Sequence, residues 1–317
     1  MIAITGAAGF IGSNLAHRLR KDGHDLLLVD HPLTAAKAMN FAGLKQFAFV
    51  EHDLFLQELQ AKKWQPEAIF HLGACSATTE TNWDYLDRNN IGYTRDLWTW
   101  ATTHCVPFLY ASSAATYGDG TRGFDDRTPP TELVPLNLYG KSKNDFDIWA
   151  LTQETAPPRW AGLKFFNVYG PRENHKGRMS SVARQTYKQI VATGGMKLFR
   201  STDANYPDGG QLRDFVFVDD CVNHLIWFWQ HDHIGGVYNS GTGAARSFHD
   251  LAITVFVTMG RQPNISFIDM PADLAKHYQN FTQATTTKLR AAGCTTPVTT
   301  LEAGIQAYVS EMTDRSS

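Results

Sequence analysis

The run Ile2-Ala3-Ile4-Thr5-Gly6-Ala7-Ala8-Gly9-Phe10-Ile11-Gly12 decides how this chain folds. Its first four residues are apolar or β-branched and read as a buried strand, and Gly12 to Asp22 carries helical spacing. Glycines set between a strand and a helix mark a phosphate-binding turn. Gly6 suits the tight turn, Gly9 the close approach of backbone to a pyrophosphate, and Gly12 the packing of helix on strand. The free N–H groups and positive dipole end of such a helix attract phosphate, so a dinucleotide is the expected ligand, with Phe10 and Ile11 beside it. A glycine-rich turn with no ligand is the alternative.

Outward from this run, strand patterns recur at Leu26–Val29, Phe47–Glu51, Ala68–His71, Pro107–Ser112, Leu163–Asn167, Arg213–Val218 and Gly235–Asn239. Helical stretches alternate with them, near Asn89–His104, Lys141–Thr152 and Asp219–Gln230. This alternation predicts an α/β protein with a Rossmann-type doubly wound parallel sheet. Residues 1–166 plus about 212–242 are expected to form the nucleotide domain. Residues of about 167–211 and 243–317 are expected to form a smaller, mixed α/β substrate domain; 317 residues suit about two domains. The stretch Asp203–Gln211 reads as a loop.

Composition narrows the class. A net charge of −2 argues against a nucleic-acid-coating protein, and 43% hydrophobic residues with 19% charged is ordinary globular usage. No apolar run is long enough to span a bilayer, and Met1–Thr5 enters a strand with no basic leader. Cys75, Cys105, Cys221 and Cys294 form no CxxC pair, which fits reduced thiols in a cytoplasmic protein and no metal site.

Asp30 ends the second strand, where an acid accepts hydrogen bonds from adenosine ribose hydroxyls and favours NAD. His31 and Lys37 follow, and a cation reaching back to a 2′-phosphate favours NADP instead; these residues leave both open. Asp53 and Leu54, after the third strand, suit the adenine edge, with a helix N-cap as the other reading of Asp53.

Tyr139 and Lys143 stand four residues apart, on one face of a helix. A lysine one turn away, with the positive nicotinamide, is expected to favour the phenolate and lower the tyrosine pKa, so that Tyr139 takes a hydroxyl proton while hydride leaves the same carbon. Ser113, at the end of the strand Pro107–Ser112, is placed to hydrogen-bond the same oxygen.

Together, the glycine turn, the segment Ser112–Gly118 and Tyr139/Lys143 resemble the extended short-chain dehydrogenase/reductase family of nucleotide-sugar epimerases and dehydratases, over nearly the whole chain. Dehydratases of that family carry an Asp-Glu pair where this chain has Ala115-Thr116, which favours epimerisation or simple redox. Phe70–Glu80, Phe166–Gly177, Arg213–Val216 and Phe281–Ala284 resemble, within the family, the group that inverts C6″ of an ADP-activated heptose on the route to lipopolysaccharide. That resemblance implies bound NADP (NAD as the alternative), transient oxidation to an aldehyde, and reduction on the other face. It implies Tyr139 as one base and Lys176 as the second, with desolvation or the nearby cations His175 and Arg178 lowering the lysine pKa. A phosphate-side or surface lysine is the rival reading of Lys176.

The resemblance further places Leu72, Gly73, Ala74, Ser76, Asn89, Tyr139, Lys143 and Val168 beside the cofactor. It places Asn167, Arg178, Gln185, Phe199, Arg213 and Tyr278 beside the substrate, Arg213 gripping the diphosphate. A structural pair with Asp214 or another acid is the other reading of Arg213. Arg178 stands where the family commonly has serine and Gln185 where it has histidine. Homo-oligomers, often pentamers, are implied, with no nucleic-acid or membrane partner. The rival functions are a UDP-hexose 4-epimerase or reductase, and a catalytically silent NADP-sensing protein.

Overall fold

Strands covered on both faces of a parallel sheet need unbroken apolar runs, and Ile2–Thr5 and Leu26–Asp30 are buried at every residue. The computed structural model describes residues 1–232, 234–271 and 278–314. Its strands are β1 (Ile2–Thr5), β2 (Leu26–Asp30), β3 (Phe47–Glu51), β4 (Ala68–His71), β5 (Phe108–Ser113), β6 (Trp160–Phe165), β7 (Asn167–Tyr169), β8 (Met196–Phe199), β9 (Leu212–Arg213), β10 (Phe215–Phe217), β11 (Gly235–Ser240), β12 (Arg246–Ser247) and β13 (Ile265–Ile268). Seven form one sheet in the order β11-β6-β5-β4-β1-β2-β3, and each of its pairings is parallel. Chain order reverses between β1 and β4, where a doubly wound sheet opens a crevice beyond its C-terminal strand ends. The Rossmann-type expectation therefore holds.

The two faces of the sheet carry separate cores. Ile4, Leu28 and Phe70 pack with Leu15 and Leu225 on one face, while their neighbours Ala3, Leu27 and Ile69 pack with Trp98 and Phe146 on the other. That alternation is the period of two of a strand. A third core joins Tyr169, Ile190, Leu198, Leu251, Phe256 and Tyr308, bordered by the short pairs β7–β10, β9–β12 and β8–β13.

Three elements differ from the sequence expectation. The strand expected at Arg213–Val218 is split at Asp214 into β9 and β10. Asp214 is fully buried, and its carboxylate accepts from Thr242 N and Oγ1, Gly243 N and Ala284 N, which turns the chain there. The run Leu163–Asn167 is likewise divided: Phe166 N still donates to Ser240 O on β11, but Asn167 N donates to Asp214 O and the chain pairs with β10 from there. The helix expected from Asn89 begins at Trp83, and its Asp87–Gly92 stretch is π-helical. The wider turn buries Asn90 and Ile91 together.

Candidate active site

The cleft lies at the switch point, about 680 Å³ in volume. Gly6 turns with φ +63°, and a Cβ on it would meet Gly73 Cα at 2.6 Å; a Cβ on Gly12 would lie 2.2 Å from Gly6 O. Backbone from the β1 and β4 ends therefore closes to a distance no side chain tolerates, which is the packing a pyrophosphate cradle needs. Gly9 is the extended residue that starts the helix Phe10–Lys21. Gly6, Phe10, Ile11, Gly12, Leu72, Ala74 and Ser76 line the cleft, as do Asn167 and Val168 from β7. The residues present thus fit a dinucleotide.

At the adenosine end Asp30 is almost closed to solvent, its side chain 2% exposed. Oδ2 accepts from Ala8 N at 2.9 Å, and Oδ1 from His31 N at 2.9 Å and Lys37 Nζ at 2.7 Å. Asp30 therefore holds the glycine turn and the Lys37 ammonium together. Asp53 does not cap the helix His52–Gln60; Glu51 occupies that position, and Asp53 sits in the first turn, 82% exposed, with Leu54 exposed beside it. His31, His52 and Asp53 bring ligand-type atoms within 4.8 Å of one another. With Asp53 so exposed and the Lys37 charge acting on His31, this trio reads as a polar rim.

Asn137 caps the helix Leu138–Leu151 by accepting from Gly140 N, and the first turns bring Tyr139 and Lys143 to the cleft with Ser113. Lys143 Nζ donates to Ala111 O at 2.8 Å, and burial pulls its pKa down to about 8. Burial raises the Tyr139 phenol, a hydrogen bond from Ser113 opposes that rise, and Cys75 and Asp147 add to it. Lys143 is not among the groups that shift Tyr139, for which burial is the first cause; Ala111 O takes one of the three donors of its ammonium.

Lys176 enters the same cleft from the 3₁₀ segment Asn174–Met179. Its Nζ stands 5.3 Å from the Phe10 ring centre, and burial lowers its pKa against the pull of Glu173. Desolvation is thus the cause, and neither His175 nor Arg178 is among the groups that shift Lys176. His175 Nδ1 accepts from Asn40 Nδ2 at 3.0 Å, and burial, Lys37 and Lys176 lower its pKa. Arg178 is exposed, and Gln185 Nε2 donates to Gly177 O and Ser180 Oγ.

Arg213 lies between two rings, 5.3 Å from Phe248 and 5.0 Å from Tyr278, and donates to Leu212 O. It does not pair with Asp214, whose oxygens are taken by the four donors named above. Phe199 ends β8, where its carbonyl accepts from Gly209 N. Asn89 Nδ2 donates to Tyr85 O and does not line the cleft.

A family model described as the NAD dependent epimerase/dehydratase family matches residues 2–241. The chain belongs to this family. A relative from Nitratidesulfovibrio vulgaris, an ADP-L-glycero-D-manno-heptose-6-epimerase, is 47% identical over 98% of this chain and 97% of its own. The crystal structure of the Helicobacter pylori ADP-L-glycero-D-manno-heptose-6-epimerase aligns with TM-score 0.85 and 28% identity, covering 98% of this chain and 96% of that one. MoeE5 in complex with UDP-glucuronic acid and NAD aligns with TM-score 0.78 and 26% identity, covering 100% and 99%.

Two features of this epimerase-family chain escaped the sequence reading. Asn90, not Asn89, ties the post-β4 loop to the Tyr139 helix: Oδ1 accepts from Cys75 N, and Nδ2 donates to Cys75 O and Ser142 Oγ. Beneath the site, Asp147 accepts from Tyr110 and Ser112 and pairs with Lys164 at 2.9 Å. A lysine inside a strand run and an aspartate on the Tyr139 helix were the available signals, since buried charges occur in pairs.

Proposed function

We propose that the protein interconverts the two C6″ epimers of an ADP-activated heptose, ADP-D-glycero-D-manno-heptose and ADP-L-glycero-D-manno-heptose. The observation that carries this reading is that Tyr139 and Lys176, from separate elements, line one cleft. Inverting a secondary alcohol through its carbonyl needs a proton acceptor for each orientation of the hydroxyl. C6″ of a heptose bears two carbons, so its oxidation product is a ketone and not the aldehyde expected above. A nicotinamide dinucleotide bound in the cleft supplies reversible hydride exchange at that carbon.

Tyr139, with the Ser113 hydroxyl beside its own, takes and returns the C6″ hydroxyl proton in one orientation. Lys143, with a pKa of about 8, is mostly charged at neutral pH and brings positive charge to where a phenolate forms. Lys176, held below the usual lysine range by burial, serves the other orientation. Arg213, between Phe248 and Tyr278, is the proposed diphosphate ligand. The same reading assigns residues 1–166 and about 212–242 to nucleotide binding, and the remainder to the sugar.

NADP is the proposed cofactor. The Asp30 oxygens are engaged by the chain itself, and the Lys37 ammonium beside them suits a 2′-phosphate. Mass spectrometry of the nucleotide released on denaturation, with turnover of ADP-heptose followed by chromatography, tests both parts. Released NAD alone would overturn the cofactor, and an inert ADP-heptose would overturn the substrate.

A further inference from the structure

We infer that Tyr308, on the C-terminal helix Leu301–Asp314, acts through Glu173 as a positioning residue for Lys176. This rests on the second-base reading of Lys176 proposed above. Glu173 begins the turn that presents Lys176 and is fully buried. Its carboxylate accepts from the Ser181 N–H and hydroxyl, both at 2.5 Å, and from the Tyr308 hydroxyl at 2.9 Å. A carboxylate removed from water is costly unless such donors surround it, so these contacts fix where Glu173 sits. Its own carbonyl accepts from Lys176 N at 3.0 Å, which closes the turn on the same residue.

A second anchor follows Lys176. Gly177 adopts φ 54° and ψ −119°, and its carbonyl accepts from Ser180 N, Ser180 Oγ and Gln185 Nε2. Lys176 is thus suspended between two hydrogen-bonded points, with its ammonium over Phe10 at the glycine turn. The first point is held by a residue from the far end of the chain. Tyr308 belongs to the third core and does not line the cleft, so its influence on the chemistry passes through Glu173. Burial and the Glu173 charge push the Tyr308 phenol up, which keeps it an O–H donor.

The test compares two reactions of the holoenzyme. Epimerisation of ADP-heptose needs both bases. Disproportionation of an ADP-mannose analogue bearing a C6″ aldehyde, one molecule oxidised to the acid with water as oxygen source and one reduced to the alcohol, needs Tyr139 and the nucleotide. Tyr308→Phe is expected to lower kcat for epimerisation about 10- to 100-fold, the scale of a small displacement of a reacting group. KM and the disproportionation rate should stay within about twofold. Ser181→Ala, which removes another donor to Glu173 without touching the C-terminal helix, should give the same split. In a Lys176→Met background, Tyr308→Phe should cause no further loss. Equal loss of both reactions in both variants, or no loss in either, overturns the inference. Lys176→Met epimerising at the normal rate overturns the second-base reading itself, a result visible without any Tyr308 variant.

Discussion

Tyr139 is the residue on which the chemistry turns, and its surroundings are less helpful to it than its spacing from Lys143 implies. Burial raises the phenol, and the Lys143 ammonium is held on Ala111 O. The free protein therefore keeps Tyr139 protonated and ready to donate; to take a proton it must first become the phenolate, which the positive charges of Lys143 and a bound nicotinamide favour. Tyr139→Phe should leave the melting temperature and nucleotide content unchanged while epimerisation falls about 10²–10⁴-fold, the usual worth of a positioned acid–base group. Turnover near the unmodified level would remove Tyr139 from the mechanism. Lys37 carries a second prediction at this scale. A charge-assisted contact contributes about 1.5–3 kcal/mol, so Lys37→Ala should weaken NADP binding to the stripped protein about 10- to 100-fold. NAD, lacking the 2′-phosphate, should change little; equal weakening of both would show that Lys37 acts through Asp30 and the glycine turn instead.

Elements with one strong period were legible, and those bent by a buried polar group were not. Ile2–Thr5 and the helix after it follow from apolar runs and glycine spacing. The split at Asp214 and the π-helical turn at Asp87–Gly92 depend on partners distant in the chain, Thr242 and Ala284 in one case and Cys75 and Ser142 in the other. Local propensity carries no trace of such partners, which is why nothing in the sequence singles out Asn90 as the residue that ties the loop. Asn89 and Asn90 can be separated by experiment. Asn90→Ala leaves Cys75 N and O without their partner, and an unsatisfied buried group costs about 1–3 kcal/mol. Its urea midpoint should fall accordingly, and dinucleotide affinity should fall with it, because Leu72, Ala74 and Ser76 line the cleft on that loop. Asn89→Ala should leave both near the unmodified values. Loss of affinity in Asn89→Ala, with Asn90→Ala unaffected, would reverse the assignment.

At the scale of the whole molecule, the strand–helix alternation foretold the parallel sheet, but the third core is assembled from segments too irregular to order from pattern alone. The helices on the central sheet also bury titratable groups that no motif announced. His224 is one of them: it lies in the core, its Nδ1 shares a hydrogen bond with Ser240 Oγ, and its Nε2 has no hydrogen-bond partner among the described residues. Burial, then the Arg290 charge, lowers its pKa to about 4. The unfolded histidine titrates near 6.5. Between those values the unfolded chain takes up a proton that the folded chain refuses, so stability falls as pH drops through the window. From pH 7 to pH 5 this loss amounts to about 2 kcal/mol. His71, buried and pushed well below its ordinary value, adds a further loss in the same direction. Urea unfolding at pH 7 and pH 5 should therefore show a smaller pH-dependent fall for His224→Asn than for the unmodified protein, whatever the variant's stability at pH 7, because His71 and the carboxylates are common to both. An identical fall in the two proteins would mean that His224 is protonated in the folded state, with a partner at Nε2 such as an ordered water.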